Sequence, residues 1–112
     1  MKITNTLDIP VHKNPHDVDA RKIYETKDAT AVVITLQPGE SLKKHKTPVD
    51  VFFYVLEGEG VVEIGNERET AVKDTVIESP ANIPHRWFND SPEPFRVLVV
   101  KVPSPVSQTK LL

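Results

Sequence analysis

Apolar and polar residues alternate along most of this chain with a period of two, in short runs closed by glycine, proline and asparagine. That is the pattern of half-buried β-strands. The densest run, VFFYVL at 51–56, is β-branched and aromatic, and Gly58 and Gly60 close it before a helix could develop. Upstream, residues 22–26 and 30–38 predict two strands joined at Lys27 and Asp28, and 41–46 predicts a polar strand with one face in water. Downstream, 61–64 and 69–72 turn about Gly65, Asn66 and Glu67, and 75–78, 86–88 and 95–102 supply three more strands. Ile3, Leu7, Ile9 and Val11 alternate in the same way, so one or two short strands are expected there, with Pro10 at an edge or strand end. No segment offers ten residues of helical periodicity between caps. About ten short strands with hairpin turns predict an all-β jelly roll or closed barrel.

Composition narrows the picture. A chain of 112 residues makes one domain, 1–112, with 1–20 read as N-terminal strands or an arm edging a partner sheet and 103–112 as a C-terminal tail. Apolar residues at 38% and charged residues at 27% suit a globular domain and exclude a disordered one. The net charge of −2 and the lack of a basic stripe argue against a nucleic-acid partner. The chain has no cysteine, which excludes disulfides, thiolate chemistry and cysteine-ligated metal centres. No apolar run approaches a membrane span, so no membrane partner is predicted and cytoplasmic residence is the default. The strand at 49–57 is apolar on both faces, and its outer face requires a second layer or a partner subunit. A homodimer is the expected assembly.

Two stretches carry chemistry. In 39–58, GESLKKHKTPVDVFFYVLEG, His45 stands at a strand head with Thr47 on the same face, and Lys43, Lys44 and Lys46 form either a solvated rim or an anion-attracting mouth. In 79–89, SPANIPHRWFN, His85 follows a proline-rich turn and heads an aromatic strand, with Trp87 on its face. His12 and His16 read as loop histidines, although an N-terminal arm could bring an imidazole to the site. Tyr54 is a candidate whose hydroxyl stays wet, and Arg86 one that pairs with a carboxylate of ligand or protein. There is no phosphate loop, nucleophile elbow or HExxH motif.

These two stretches resemble the two motifs of the cupin family. The first motif runs glycine, five residues, histidine, one residue, a second histidine, three or four residues, glutamate, six residues and glycine. Here Gly39, His45 and Gly58 match, Thr47 takes the place of the second histidine, Val51 takes the place of the glutamate, and Asp50 falls one residue short of it. In the second motif Pro80, His85 and Asn89 match, while Asp74 and Asn82 stand where glycines are usual. The resemblance spans residues 39–100 and implies a cupin-type jelly-roll barrel, the double-stranded β-helix, with His45 and His85 facing inward.

It also implies a divalent transition metal, zinc, nickel, iron, manganese or copper, held by His45 and His85. Asp50 would complete the set if a bulge near Pro48 turned it inward. Thr47, Trp87, Tyr54 and Arg86 are the expected ligand-binding residues. Two functions follow: a metal-dependent cupin acting on or binding an anionic or oxygen-rich small molecule, and a non-catalytic small-molecule-binding module without metal.

Overall fold

The computed structural model describes residues 1–106 and 110–111. Among them, ten strands form two five-stranded sheets in a jelly-roll barrel. The first sheet orders β1 (Asp19–Glu25), β2 (Thr30–Leu36), β9 (Phe95–Val102), β4 (Asp50–Glu57) and β7 (Val76–Ser79). The second orders β10 (Lys110–Leu111), β3 (His45–Lys46), β8 (His85–Phe88), β5 (Glu59–Ile64) and β6 (Glu67–Val72). Every pairing is antiparallel, and successive strands lie in different sheets except β1 with β2 and β5 with β6. Among the described residues no helix is long and apolar enough to cross a membrane.

Period-two alternation decides what each strand puts inside. In β4, Val51, Phe53 and Val55 are buried while Asp50 is exposed and Phe52 and Tyr54 are half-buried on the outer face. In β9, Phe95, Val97 and Val99 point inward, and Lys101 continues the same row. The two inner faces meet over an aromatic column. Trp87 packs at 5.0 Å from Phe95 between ring centroids and edge-on to Phe53 at 5.4 Å. Val55, Val97 and Leu36 close the barrel around it, all with no exposed surface.

The turns follow their side chains. The Asn89 amide donates to the carbonyls of Leu36 and Glu93 while its oxygen accepts from the Ser91 N–H, which ties the turn after β8 to β2. Asp74 and Asn82, standing where the resemblance expects glycines, adopt φ of 67° and 63°. Asp and Asn are the residues other than glycine that best tolerate this left-handed conformation.

Two expectations require correction. The alternation at 3–11 forms no strand, and the expected N-terminal strands are present only as the first residues of β1. Asn5 instead caps a 3₁₀ turn at Thr6–Asp8, Ile3 and Leu7 are 86% and 73% exposed, and the segment meets β1 through the Arg21 guanidinium on the Thr6 and Leu7 carbonyls, not through a backbone ladder. The polar strand at 41–46 shrinks to a bridge from Ser41 to Phe88 and the two residues of β3, with Leu42 dipping into the core between them. The tail at 103–112 is tied at two points, through Ser104 to Thr30 and through β10 to β3, and residues 107–109 and 112 lie outside the described residues.

Gly60 is the position with least room. A Cβ there would lie 2.7 Å from two ring carbons of Phe95, which Trp87 and the closed barrel end hold in place. Gly60→Ala should lower the free energy of unfolding by about 1–3 kcal/mol, the usual cost of overpacking a tight core. Urea denaturation checks it, and an unchanged midpoint would show that the Phe95 ring moves aside freely.

Candidate functional site

The aromatic column fills only one end of the barrel. At the other end the inward residues are smaller, and they enclose a cavity of about 160 Å³ floored by Phe53 and walled by Val32, Val51 and Val99. Its polar lining comes from His12, His16, His45, Thr47, His85 and Lys101, together with Asn14, and no carboxylate lines it among the described residues. Antiparallel pairing places His45 directly opposite His85 across β3 and β8, so two positions far apart in the chain face each other.

Their hydrogen bonds run in one direction. The Nδ1 of His45 lies 2.7 Å from the Lys43 carbonyl, which can only accept, so this nitrogen carries the proton. In the neutral ring the Nε2 of His45 then accepts, and the Nε2 of His85, 3.2 Å away, donates to it. The Nδ1 of His85 is left as an acceptor and takes the hydroxyl proton of Ser79 at 2.7 Å. The result is a chain from Ser79 through His85 and His45 to a backbone carbonyl. Ser79, His85 and His45 are 1%, 3% and 9% exposed, so this chain is nearly dry.

A third imidazole caps the pair. His16 accepts the Lys43 N–H at Nδ1 (2.8 Å) and sits 4.8 Å from His45 between ring centroids. Asn14 closes the loop that carries it, accepting from the N–H groups of His16 and Val18 and donating to the carbonyls of His12 and Val18. Burial pushes His85 down to about 3, helped by the charges of His45 and Lys101, and pushes His16 down to about 4. His45 is lowered by burial too, against the opposing pull of its bond to the Lys43 carbonyl. All three rings are therefore neutral at pH 7. Burial, with Lys22 nearby, also lowers the pKa of Lys101.

His45, Thr47 and His85 thus converge, but several expected residues do not join them. Asp50 is exposed and accepts the Ala81 N–H at 2.8 Å; the bulge in β4 falls between Val55 and Glu57, not near Pro48, so strand parity keeps Asp50 outside and Val51 inside. Tyr54 faces outward and donates to Asp74 at 3.1 Å. Arg86 lies on the outer face of the second sheet, bonded to Glu63 at 2.7 Å beside the Phe88 ring, and this bond, with Arg68 and Lys44 nearby, holds the Glu63 carboxyl below its usual pKa. Trp87 shares the inward face of His85 yet lies in the column below the cavity. None of Lys43, Lys44 and Lys46 lines the cavity, and Lys44 is placed near Glu63 instead. Sequence reasoning missed Lys101, which was legible, because it shares the parity of Phe95, Val97 and Val99. His16, expected on a loop, reaches the site through a segment for which the sequence holds no periodic signal.

The donors present do not make a complete metal centre. Among the described residues no group of three or more histidine or acidic side chains could hold a metal ion. Catalytic zinc sites use three protein ligands, at about 2.0–2.2 Å for imidazole and carboxylate. Here Thr47 and Val51 replace two of the customary ones, and Asp50 is turned away.

A family model described as cupin domain matches residues 32–101. No curated protein matches the chain. A solved protein from Thermus thermophilus is 29% identical, with a TM-score of 0.79 over 92% of this chain and 98% of its own. A protein with a double-stranded beta-helix domain from Klebsiella pneumoniae is 22% identical, with a TM-score of 0.83 over 99% and 96%. The polyketide cyclase RemF from Streptomyces resistomycificus is 19% identical, with a TM-score of 0.85 over 100% and 85%. The likeness to the last two is one of fold.

The depressed histidines predict acid sensitivity. The unfolded chain takes up protons below about pH 6.5, whereas folded His85 stays neutral to about 3, so stability is fully present above pH 6.5 and falls as pH drops below it. For His85 alone the slope is about 1.4 kcal/mol per pH unit. Urea titrations between pH 7 and 4 should show this slope, and His85→Gln should flatten it by roughly that amount; an unaltered slope would show that His85 is not held neutral.

Proposed function

The chain belongs to the cupin domain family, and from that premise we propose that its barrel binds an anionic or oxygen-rich small molecule without a metal. The observation that carries this reading is the donor set: among the described residues no group of three or more histidine or acidic side chains could hold a metal ion, with Val51 turned inside and Asp50 outside. Besides the imidazoles and Asn14, Thr47 and Lys101 are the polar groups that line the cavity beside its valines. A lining with donors and no carboxylate favours a ligand rich in acceptors. At about 160 Å³ the cavity is below the usual range for drug-sized ligands, so the molecule is small. RemF, alike in fold, is a polyketide cyclase, which is consistent with a barrel of this shape housing small organic molecules.

Elemental analysis of protein purified without a metal-affinity tag should find no stoichiometric zinc, nickel, iron, manganese or copper. Titration with acetate, lactate and malonate in the presence of EDTA should shift the methyl resonances of Val32, Val51 and Val99, and cavity-filling Val51→Phe should abolish the shift. One metal ion per chain, lost in a His45→Ala, His85→Ala double variant, would overturn the metal-free reading.

We further propose that a second copy covers the outer face of the first sheet. Phe52 and Leu56 of β4 and Leu98 and Val100 of β9 form a half-buried apolar patch there, continued by Val102 and Val76 at 45% and 58% exposure. Light scattering should give about twice the chain mass of 12.6 kDa. Val100→Glu should return the protein to monomer; a wild-type monomer at micromolar concentration would refute the dimer.

A further inference from the structure

Lys101 is a half-buried lysine on the inward row of its strand. It extends the inward row of β9 beyond Val99, between Thr30 of β2 and Val51 of β4, and its side chain lines the cavity. Among the described residues it has no salt bridge, and no carboxylate lines the cavity to serve as its counter-ion. Its nearest charged influence is another cation, Lys22. An ammonium group in a desolvated, uncompensated site is costly, so the amine gives up its proton more readily than a surface lysine does. A neutral primary amine is a nucleophile, and desolvation with a second cation nearby is a recognised way of activating one.

We propose that Lys101 is a carbonyl-reactive amine that captures a small aldehyde or ketone in the cavity as an imine. The inference rests on the metal-free reading of the cavity and adds a covalent step to it. The Nζ lone pair forms a bond to the carbonyl carbon, and the carbonyl π pair moves to oxygen, which takes up a proton. Nitrogen gives up one proton to form the neutral carbinolamine, whose hydroxyl takes a second proton and leaves as water while the nitrogen lone pair forms the C=N bond and nitrogen gives up its other proton. Carbonyl and amine thus become imine and water, with no change in oxidation state. The neutral imidazole of His16 lines the same cavity, with only its Nδ1 engaged by the Lys43 N–H, and supplies a group able to carry these protons. The cavity limits the carbonyl compound to a few carbon atoms.

Pyruvate and acetone serve as probes, with borohydride reducing any imine to a stable secondary amine for intact-mass analysis and peptide mapping. The expected result is one adduct per chain on Lys101, exceeding that on exposed Lys43 or Lys44 by about tenfold for each unit of pKa difference. Lys101→Met, checked for folding by urea denaturation, should lose the adduct, and Lys22→Gln should reduce it. Labelling spread over exposed lysines, or equal in wild type and Lys101→Met, would overturn the proposal. Methyl shifts at Val51 and Val99 with pyruvate but no trapped adduct would also overturn it while leaving non-covalent binding intact. Neither shifts nor adduct would remove both.

Discussion

The column of Phe53, Trp87 and Phe95 is the element on which this barrel depends. Two sheets packed face to face must fill a space about 10 Å deep, and large rings do so with few residues. Where the column stands, the inner faces can be small: Gly60 beside Phe95, Ala71 opposite Gly60, and Val62 opposite Trp87 by strand pairing. Where it stops, at Phe53, valines and imidazoles cannot fill the gap, and the cavity is the space left over. Core and site are therefore one packing problem. The indole N–H of Trp87, buried without a partner among the described residues, shows that volume outweighed hydrogen bonding at this position.

The electrostatics of the open end follow from what is absent. With valine at position 51 and Asp50 turned to the Ala81 N–H, nothing in the lining offsets positive charge, and burial keeps the imidazoles neutral. Each neutral ring then needs one donor and one acceptor arrangement. The Lys43 backbone provides both ends, its carbonyl setting the tautomer of His45 and its N–H that of His16. A single exposed residue thus orients two rings through its main chain, independently of its side chain. The third ring takes its tautomer from His45, and Ser79 completes the series.

The outer faces solve a different problem. On the second sheet, Glu63 gathers Arg86 and Arg68, both guanidinium groups lying over the Phe88 ring, so an aromatic side chain is covered by charges facing water. On the first sheet, no such pair of charges covers Phe52 and Val100 among the described residues. Arg86 was legible as a residue that pairs with a carboxylate, but its partner proved to be Glu63 across β5 and β8. Which carboxylate it would meet is a matter of strand neighbours, and those lie beyond any local pattern.

Local alternation alone was enough to predict the strand-rich fold, the full extent of β9, and that His45 shares a face with Thr47 and His85 with Trp87, because the face on which a side chain emerges depends only on parity within its own strand; that this face is the inner one came from the cupin resemblance. The same rule already assigned Asp50 and Val51 to opposite faces, and only the position of the bulge could have altered it. The register of β3 against β8, which brings two imidazoles to 3.2 Å, depends on pairing across the barrel. So do the arrival of His16 on an Asn14-closed loop, the docking of β10 beside β3, and the placement of Lys101 in a cavity that no carboxylate lines among the described residues. Tertiary structure decided these because each is a contact between segments distant in the chain, whose meeting is set by the packing of two sheets around one aromatic column and not by the residues on either side.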